Sequence, residues 1–273
     1  MASAIALRRE LSARAQQIAA ETLTAHHLTL SEVPSVIFGP TAERQHGNFH
    51  PTSYRNIHAN PPWLRRLAKV HTSGSKSADR RWRELDSATS SDALLMNIFC
   101  YSRVLRNTAF CALLGVPPGQ APQFGFKPRI PLRDGKLDRT EIDMKLGDLL
   151  VEAKLTESDF QTAPLRLLER YQHLDEVFDC GWMQHRERIP GYQLIRGVLA
   201  AHATGGAFCV LCDARRSDLV ENWYAVICTV RSCTLRCRLQ LLTWQELARL
   251  LPQTLQRFLA MKYGINDPIL ADR

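Results

Sequence analysis

Residues 139–154 read RTEIDMKLGDLLVEAK, and four of their side chains are spaced to act together. Apolar and polar residues alternate on both sides of Gly147-Asp148, a pair suited to a two-residue hairpin turn with glycine supplying the positive φ. That turn fixes the pairing. Leu146 faces Leu149, Lys145 faces Leu150 and Met144 faces Val151, so Asp143 falls opposite Glu152 and Glu141 opposite Lys154. The period of two puts Glu141, Asp143, Glu152 and Lys154 on one face. Ile142, Met144, Val151 and Ala153 form the other, apolar face, which is the expected core side. Directly opposed carboxylates stand about 5 Å apart at Cβ and repel. A divalent cation between them reverses that sign. Mg2+ suits the pair, being a hard cation held by one or two carboxylates together with waters and substrate phosphate. Lys154, on the same strand face, is placed to hold or help deprotonate an attacking water. The plainer alternative is a solvated surface hairpin with a Glu141–Lys154 cross-strand ion pair.

The elements that must position this hairpin are legible as periodicities. An amphipathic helix is expected over 3–25, from Ala4, Leu7, Leu11, Ala15 and Ile18. A proline-bearing stretch from Val33 to about Asn60 reads as poor helix and poor strand. Ala93, Leu94, Asn97, Ile98, Tyr101, Val104, Leu105 and Leu113 predict one helix from Ser90 or Ser91 to the stop at Gly115. Strands are expected over 124–132, 139–146 and 149–155, then a helix over 163–178 and another over 191–203 opened by Pro190-Gly191. The apolar run Ala207–Asp213 reads as a buried strand. A helix over 217–227 and an alternating strand over 234–242 follow. Thr243 and Glu246 form a capping box for a last helix running to about Tyr263 and stopping at Gly264. The order predicts a mixed α/β protein without internal repeats.

An acid on one strand followed nine residues later by Glu-X-Lys on the next resembles the PD-(D/E)XK nuclease superfamily. Here the first acid is Asp143, preceded by Ile142 in place of proline, and the doublet is Glu152-Ala153-Lys154. The segment Ser90–Phe99 (SSDALLMNIF) also resembles the opening helix of bacterial restriction endonuclease-like proteins. Helix 90–114, the three strands, helix 191–203 and strand 207–213 can be laid on the superfamily's order, with 163–178 as an insertion. The resemblance implies a restriction-endonuclease-like α/β core, a central mixed sheet flanked by helices, with a mainly helical and irregular basic N-terminal extension. It implies hydrolysis of DNA phosphodiester bonds with Mg2+, or Mn2+ in its place, held by Asp143, Glu152 and the Ala153 carbonyl. Lys154 would orient the water and stabilise developing charge. Gln193, opening the second helix, is the expected polar residue facing the metal, with Arg196 one turn on as its substitute. Where other members carry a glutamate on the first helix, this chain offers Asp92 and Asn97; with Glu141 they complete the outer candidates. The implied setting is restriction and defence or DNA repair, with RNA as an alternative substrate and a homodimer as a candidate assembly. A different class of reading keeps the fold without catalysis, as a nucleic-acid-binding protein.

Composition narrows the class. The chain has 273 residues, 45% of them apolar, enough for a sizeable core and too many for wholesale disorder. No apolar run approaches the roughly 18 residues that span a bilayer, so no membrane partner is expected. The N-terminus lacks an apolar signal core and the eight cysteines read as free thiols in a reducing cytoplasm. Lys and Arg outnumber Asp and Glu by 35 to 27, and the excess lies in residues 1–140, which hold 19 basic and 10 acidic side chains. This asymmetry points to a polyanionic partner. Arg55, Arg65, Arg66, Lys69, Lys76, Arg80, Arg81 and Arg83 are the expected phosphate contacts. Tyr54, Trp63 and Trp82 among them could stack on bases or anchor a small subdomain. A boundary is expected near residue 85, with 1–85 as the basic extension and 86–273 as the core. Cys209 and Cys212, with Cys228, Cys233 and Cys237, could in principle ligate zinc, but packing as small hydrophobes is the preferred reading. His46, His50, His58 and His71 lack metal-ligand spacing and are expected to add hydrogen bonds at a surface. His26-His27 reads as a helix end.

Overall fold

The structure, a computed structural model, describes residues 3–22, 26–29, 35–41, 45–70, 83–183 and 186–266. The chain divides into two compact units. One is Gln123–Thr243; the other joins Ala2–Pro122 to Trp244–Arg273. The boundary expected near residue 85 thus falls inside the second of these.

The N-terminal part of that second unit opens with α1 (Ala4–Glu21), capped by the Ser3 hydroxyl and burying Leu7, Leu11, Ala15 and Ile18. Two short antiparallel strands follow, β1 (His26–Thr29) and β2 (Ser35–Phe38). His26 and His27 therefore lie in a strand, not at the end of the helix. The stretch expected to be irregular holds two helices, α2 (Pro51–Ala59) and α3 (Pro61–Arg66), each with proline in its first turn. The missing N–H costs nothing there, since the first amides of a helix have no internal partner, and the fixed φ is already helical. The single helix expected over 90–114 is α4 (Ser91–Phe99), a 3-10 turn and α5 (Thr108–Leu113). Arg103, at φ 70°, leaves the helical region, and the Asn107 side chain caps a new start.

The strand-bearing unit begins with β3 (Gln123–Phe126), then the short pair β4 (Ile130–Pro131) and β5 (Leu137–Asp138), where one strand was expected over 124–132. The hairpin is β6 (Ile142–Leu146) and β7 (Leu149–Ala153). Next come β8 (Thr162–Pro164), α6 (Leu165–Leu168), α7 (Leu174–Val177), β9 (Arg188–Pro190), α8 (Tyr192–Thr204), β10 (Ala207–Cys212), α9 (Ser217–Ile227), α10 (Cys233–Arg236) and β11 (Leu239–Thr243). The helix expected over 163–178 is broken in two because Tyr171 pairs by backbone with Leu132 and drives its ring into the core, 2% exposed. The strand expected over 234–242 opens instead as α10, started by the Ser232 side chain.

Five strands form the central sheet in the order β11-β10-β7-β6-β3. β6 runs antiparallel to β3 and β7, whereas β10 runs parallel to β7 and β11. The β7–α8–β10 crossover lays α8 on the sheet. Leu194, Ile195 and Val198 of α8 share one apolar cluster with Leu150, Phe208 and Val210. By register these sheet residues lie on the Glu152 face, so this part of the carboxylate face is covered. β7 is accordingly buried along its whole length, as its unbroken Leu149-Leu150-Val151 run suits.

The chain then returns to the other unit with α11 (Trp244–Ala248) and α12 (Gln253–Tyr263), divided before Pro252 and closed at Gly264 with φ 63°. α12 packs on α1, and Ala15, Ile18, Val36, Phe38 and Ala88 form a buried cluster. Tyr54 stacks on Phe49 at 5.5 Å, and Trp63 Nε1 donates to the Pro122 carbonyl at 3.0 Å. Tyr54 is therefore a packing anchor, whereas Trp63 is partly exposed and tied to the chain by its indole N–H; Trp82 lies outside the described residues.

Candidate active site

The hairpin has the expected register. Leu146 pairs with Leu149, Lys145 with Leu150 and Met144 with Val151, and Gly147 turns the chain at φ 58°. Beyond Met144 a side chain takes over from the ladder: the Ala153 N–H donates to Asp143 Oδ2 at 2.8 Å. Asp143 is half-buried, whereas Glu152 is 3% and Lys154 5% exposed. Lys154 Nζ donates to Glu152 Oε1 at 2.7 Å. The solvated-hairpin alternative does not describe this arrangement, because two charges this deeply buried need partners. Burial alone would lower the Lys154 pKa, but Glu152, Glu157 and Asp143 outweigh it and hold it above the ordinary lysine value. A protonated Lys154 donates hydrogen bonds and suits holding a water or stabilising negative charge better than removing a proton.

The other elements set the surroundings. Arg196, 4% exposed on α8, donates from Nη2 to the Glu141 carbonyl at 2.9 Å, tying the helix to the chain two residues before Asp143. Gln193 sits three residues earlier, where the Phe160 carbonyl accepts its N–H at 3.0 Å. Its Oε1 is buried with no hydrogen-bond partner among the described residues. An orphaned acceptor of this kind costs about 1–3 kcal/mol unless a cation or water meets it. The carboxylates of Asp143 and Glu152 and the amide oxygen of Gln193 are of the ligand type that a hard divalent cation prefers.

Three further residues have no spacing signal of their own. Glu157 accepts the Leu155 N–H at 2.6 Å, folding the loop after β7 back toward Lys154. Arg216, fully buried, donates to the Leu155, Glu157 and Ser158 carbonyls and to Asp218, which pins that loop. Asp213, at the end of β10, is buried and held by Arg215 through two side-chain bonds of 2.8 and 2.7 Å. The run Arg215-Arg216-Ser217-Asp218 was visible, but three of the partners of Arg216 are backbone carbonyls about sixty residues away, which no pattern records.

Asp92 and Asn97 lie in the other unit and are committed there. Arg66 and Lys69 bind the Asp92 carboxylate at 2.8 and 3.1 Å. Asn97 accepts from the His50 N–H and donates to the Asn48 and Ala93 carbonyls. Of the expected phosphate contacts, Arg55, Arg65 and Arg83 are exposed. Arg66 and Lys69 are engaged with Asp92, and Lys69 also with Glu84 at 2.9 Å. Lys76, Arg80 and Arg81 lie outside the described residues, as does His71. His46 is buried and paired with Asp86 at 3.2 Å, and His50 caps α2. In the strand-bearing unit a cleft of about 590 Å³ beside edge strand β3 is lined by Lys127, Arg129 and Arg139 together with Phe124 and Phe126. Cys209 and Cys212 are buried, but Cys228, Cys233 and Cys237 are exposed, against the expectation that the cysteines pack as hydrophobes.

No helix among the described residues is long and apolar enough to cross a membrane. No curated protein and no solved structure matches the chain. Residues 16–264 match the family described as Restriction Endonuclease associating with ARP, a stretch that takes in the hairpin, α8 and most of the basic first half. With its mixed five-stranded sheet carrying the Asp143 and Glu152-Ala153-Lys154 hairpin, the chain belongs to this restriction-endonuclease-like family.

Proposed function

We propose that the protein is a metal-dependent endonuclease that hydrolyses phosphodiester bonds in DNA. The observation that carries this reading is the buried Glu152–Lys154 pair beside Asp143, at the end of the central hairpin and under the first turns of α8. A fold gains little from burying two charges where apolar residues would pack, so their retention favours a chemical role. Asp143, Glu152 and the Ala153 carbonyl would hold Mg2+ or Mn2+, with the Gln193 amide oxygen as a further ligand, direct or through water. The ion, when bound, supplies Lewis-acid polarisation of the phosphate and a more acidic water. Lys154, kept as an ammonium, orients the attacking water and offsets the negative charge that develops on the phosphate. Arg196 and Arg216 act indirectly: the first fixes the chain before Asp143, the second the loop after Lys154. The basic cleft at Lys127, Arg129 and Arg139 contacts the DNA backbone, and Arg55, Arg65 and Arg83 supply separate phosphate contacts on the other unit. The family's description supports a restriction role exercised together with ARP. One such site cuts one strand, so double-strand cleavage would take two copies of the chain.

Plasmid and linear duplex incubated with Mg2+ or Mn2+ test the proposal. Nicking or linearisation by the wild-type protein, lost by at least about 100-fold in Asp143→Ala and in Lys154→Ala, is the expected result. If no metal supports cleavage and the folded protein binds no divalent ion at the hairpin, the non-catalytic nucleic-acid-binding reading replaces it.

A further inference from the structure

A second set of metal-ligating side chains lies in the strand-bearing unit. His173 immediately precedes α7, Glu176 stands inside that helix, and His202 lies in the last turn of α8. His173 Nδ1 is 2.8 Å from Glu176 Oε2, and His202 Nε2 is 3.5 Å from Oε1 of the same carboxylate. The two imidazole rings stand 5.1 Å apart. One ligand atom from each residue lies within 4.8 Å of the other two. His202 follows Gln193 by nine residues, roughly 14 Å along the helix, so the cluster is separate from the hairpin carboxylates.

We propose that His173, Glu176 and His202 form a binding site for a divalent transition-metal ion of the zinc class, joining α7 to α8. Two imidazole nitrogens and one carboxylate oxygen are the donor set such ions prefer, whereas Mg2+ and Ca2+ take oxygens alone. Zinc bonds of about 2.0–2.1 Å in tetrahedral geometry separate ligand atoms by about 3.3 Å. One ligand atom from each residue already lies within 4.8 Å of the others, so side-chain rotations that draw them together by at most about 1.5 Å would bring all three to one ion. Three protein ligands leave a fourth position for water. The side chains are 31%, 63% and 27% exposed, which gives an ion a direct path from solvent. Bound there, the ion clamps the segment between β7 and α8 to the far end of the helix whose near end carries Gln193 and Arg196. The site stands independently of nuclease activity.

Chelator-treated wild-type protein and Asp143→Ala protein are titrated with Zn2+ by calorimetry, with the thermal midpoint followed in parallel. Both are expected to bind about one equivalent through these three ligands and to melt at higher temperature when loaded. His202→Ala and Glu176→Gln should each weaken binding by at least about tenfold with the far-ultraviolet circular dichroism unchanged. His173→Gln gives the same readout should His202→Ala fail to fold. Excess Mg2+ should not compete. No bound Zn2+, loss of the equivalent in Asp143→Ala, or unaltered affinity in the folded ligand variants overturns the proposal.

Discussion

Two buried lysines have pKa values shifted in opposite directions, Lys154 upward and Lys262 downward. Lys154 has carboxylates around it and stays protonated. Removing its charge leaves Glu152 buried without a cation. Lys154→Met should therefore destabilise the metal-free protein by about 3 kcal/mol in urea unfolding. If Glu152 and Asp143 take a divalent ion, millimolar Mg2+ should restore part of that loss, since the ion supplies the missing positive charge. Equal loss with and without Mg2+ would tell against an ion at the hairpin. Lys262 is the contrary case. It is 1% exposed, and its Nζ has no hydrogen-bond partner among the described residues, only the Phe38 and Tyr263 rings at 4.6 and 5.3 Å. Burial pushes its pKa from 10.5 down to about 7. Between those two values the unfolded chain carries a proton that the folded chain has released. Stability therefore rises with pH above about 7, by at most about 1.4 kcal/mol per unit, and is flat below it. Lys262→Met should be the more stable protein near neutrality and should lose this slope. Parallel pH profiles of the two proteins between pH 6 and 9 would show this lysine to be charged and compensated.

Where elements meet, close approach rather than propensity decides. Gly197 lies on the buried face of α8, and a Cβ there would run into the Phe208 ring of β10. Alanine favours a helix over glycine by about 1 kcal/mol, but overpacking costs about 1–3. Both are fully buried and Phe208 packs on Trp223 at 6.0 Å, so the ring has little room and the clash should win. Gly197→Ala is expected to lower the urea midpoint; a neutral or raised midpoint would mean that α8 can lift off the sheet at no cost. This contact also marks the limit of what periodicity conveys. The hairpin register was legible residue by residue because a two-residue turn leaves one pairing, and β10 because six apolar residues between turn signals fit only a buried strand. The parallel neighbour of β7 was not legible, since strand pairing across a crossover leaves no local mark. For that reason a solvated carboxylate face stood as the alternative to a metal site, and the depth at which α8 and the sheet bury Glu152 was not foreseen. The same blindness hid Arg216, and it hid the meeting of His173 and Glu176 with His202, although the i, i+3 pair was in plain view. Prolines misled in the other direction: Pro51, Pro61 and Pro62 read as breakers but stand at helix starts, where they are tolerated.

For the whole molecule the question is how much of the net charge of +8 faces a polyanion. A basic residue already paired to an acid releases no counterions when DNA binds. Arg66 and Lys69 are such residues, both held by Asp92, the arginine with its side chain 9% exposed. Arg55, Arg65 and Arg83 are exposed in the same unit. The two groups therefore predict different phenotypes from the same loss of charge. Measured by fluorescence anisotropy on a short duplex in the Asp143→Ala background, affinity should fall linearly on a log–log plot against salt. Replacing Arg55, Arg65 and Arg83 by alanine should flatten that slope by about 2.7 if each releases one phosphate's counterion. Arg66→Ala should leave the slope nearly unchanged and lower stability by about 3 kcal/mol, because it leaves a buried carboxylate with only part of its counter-charge. If the triple variant keeps the wild-type slope, the duplex is gripped elsewhere. The cleft at Lys127, Arg129 and Arg139, in the same basic half of the sequence, is then the surface to neutralise next.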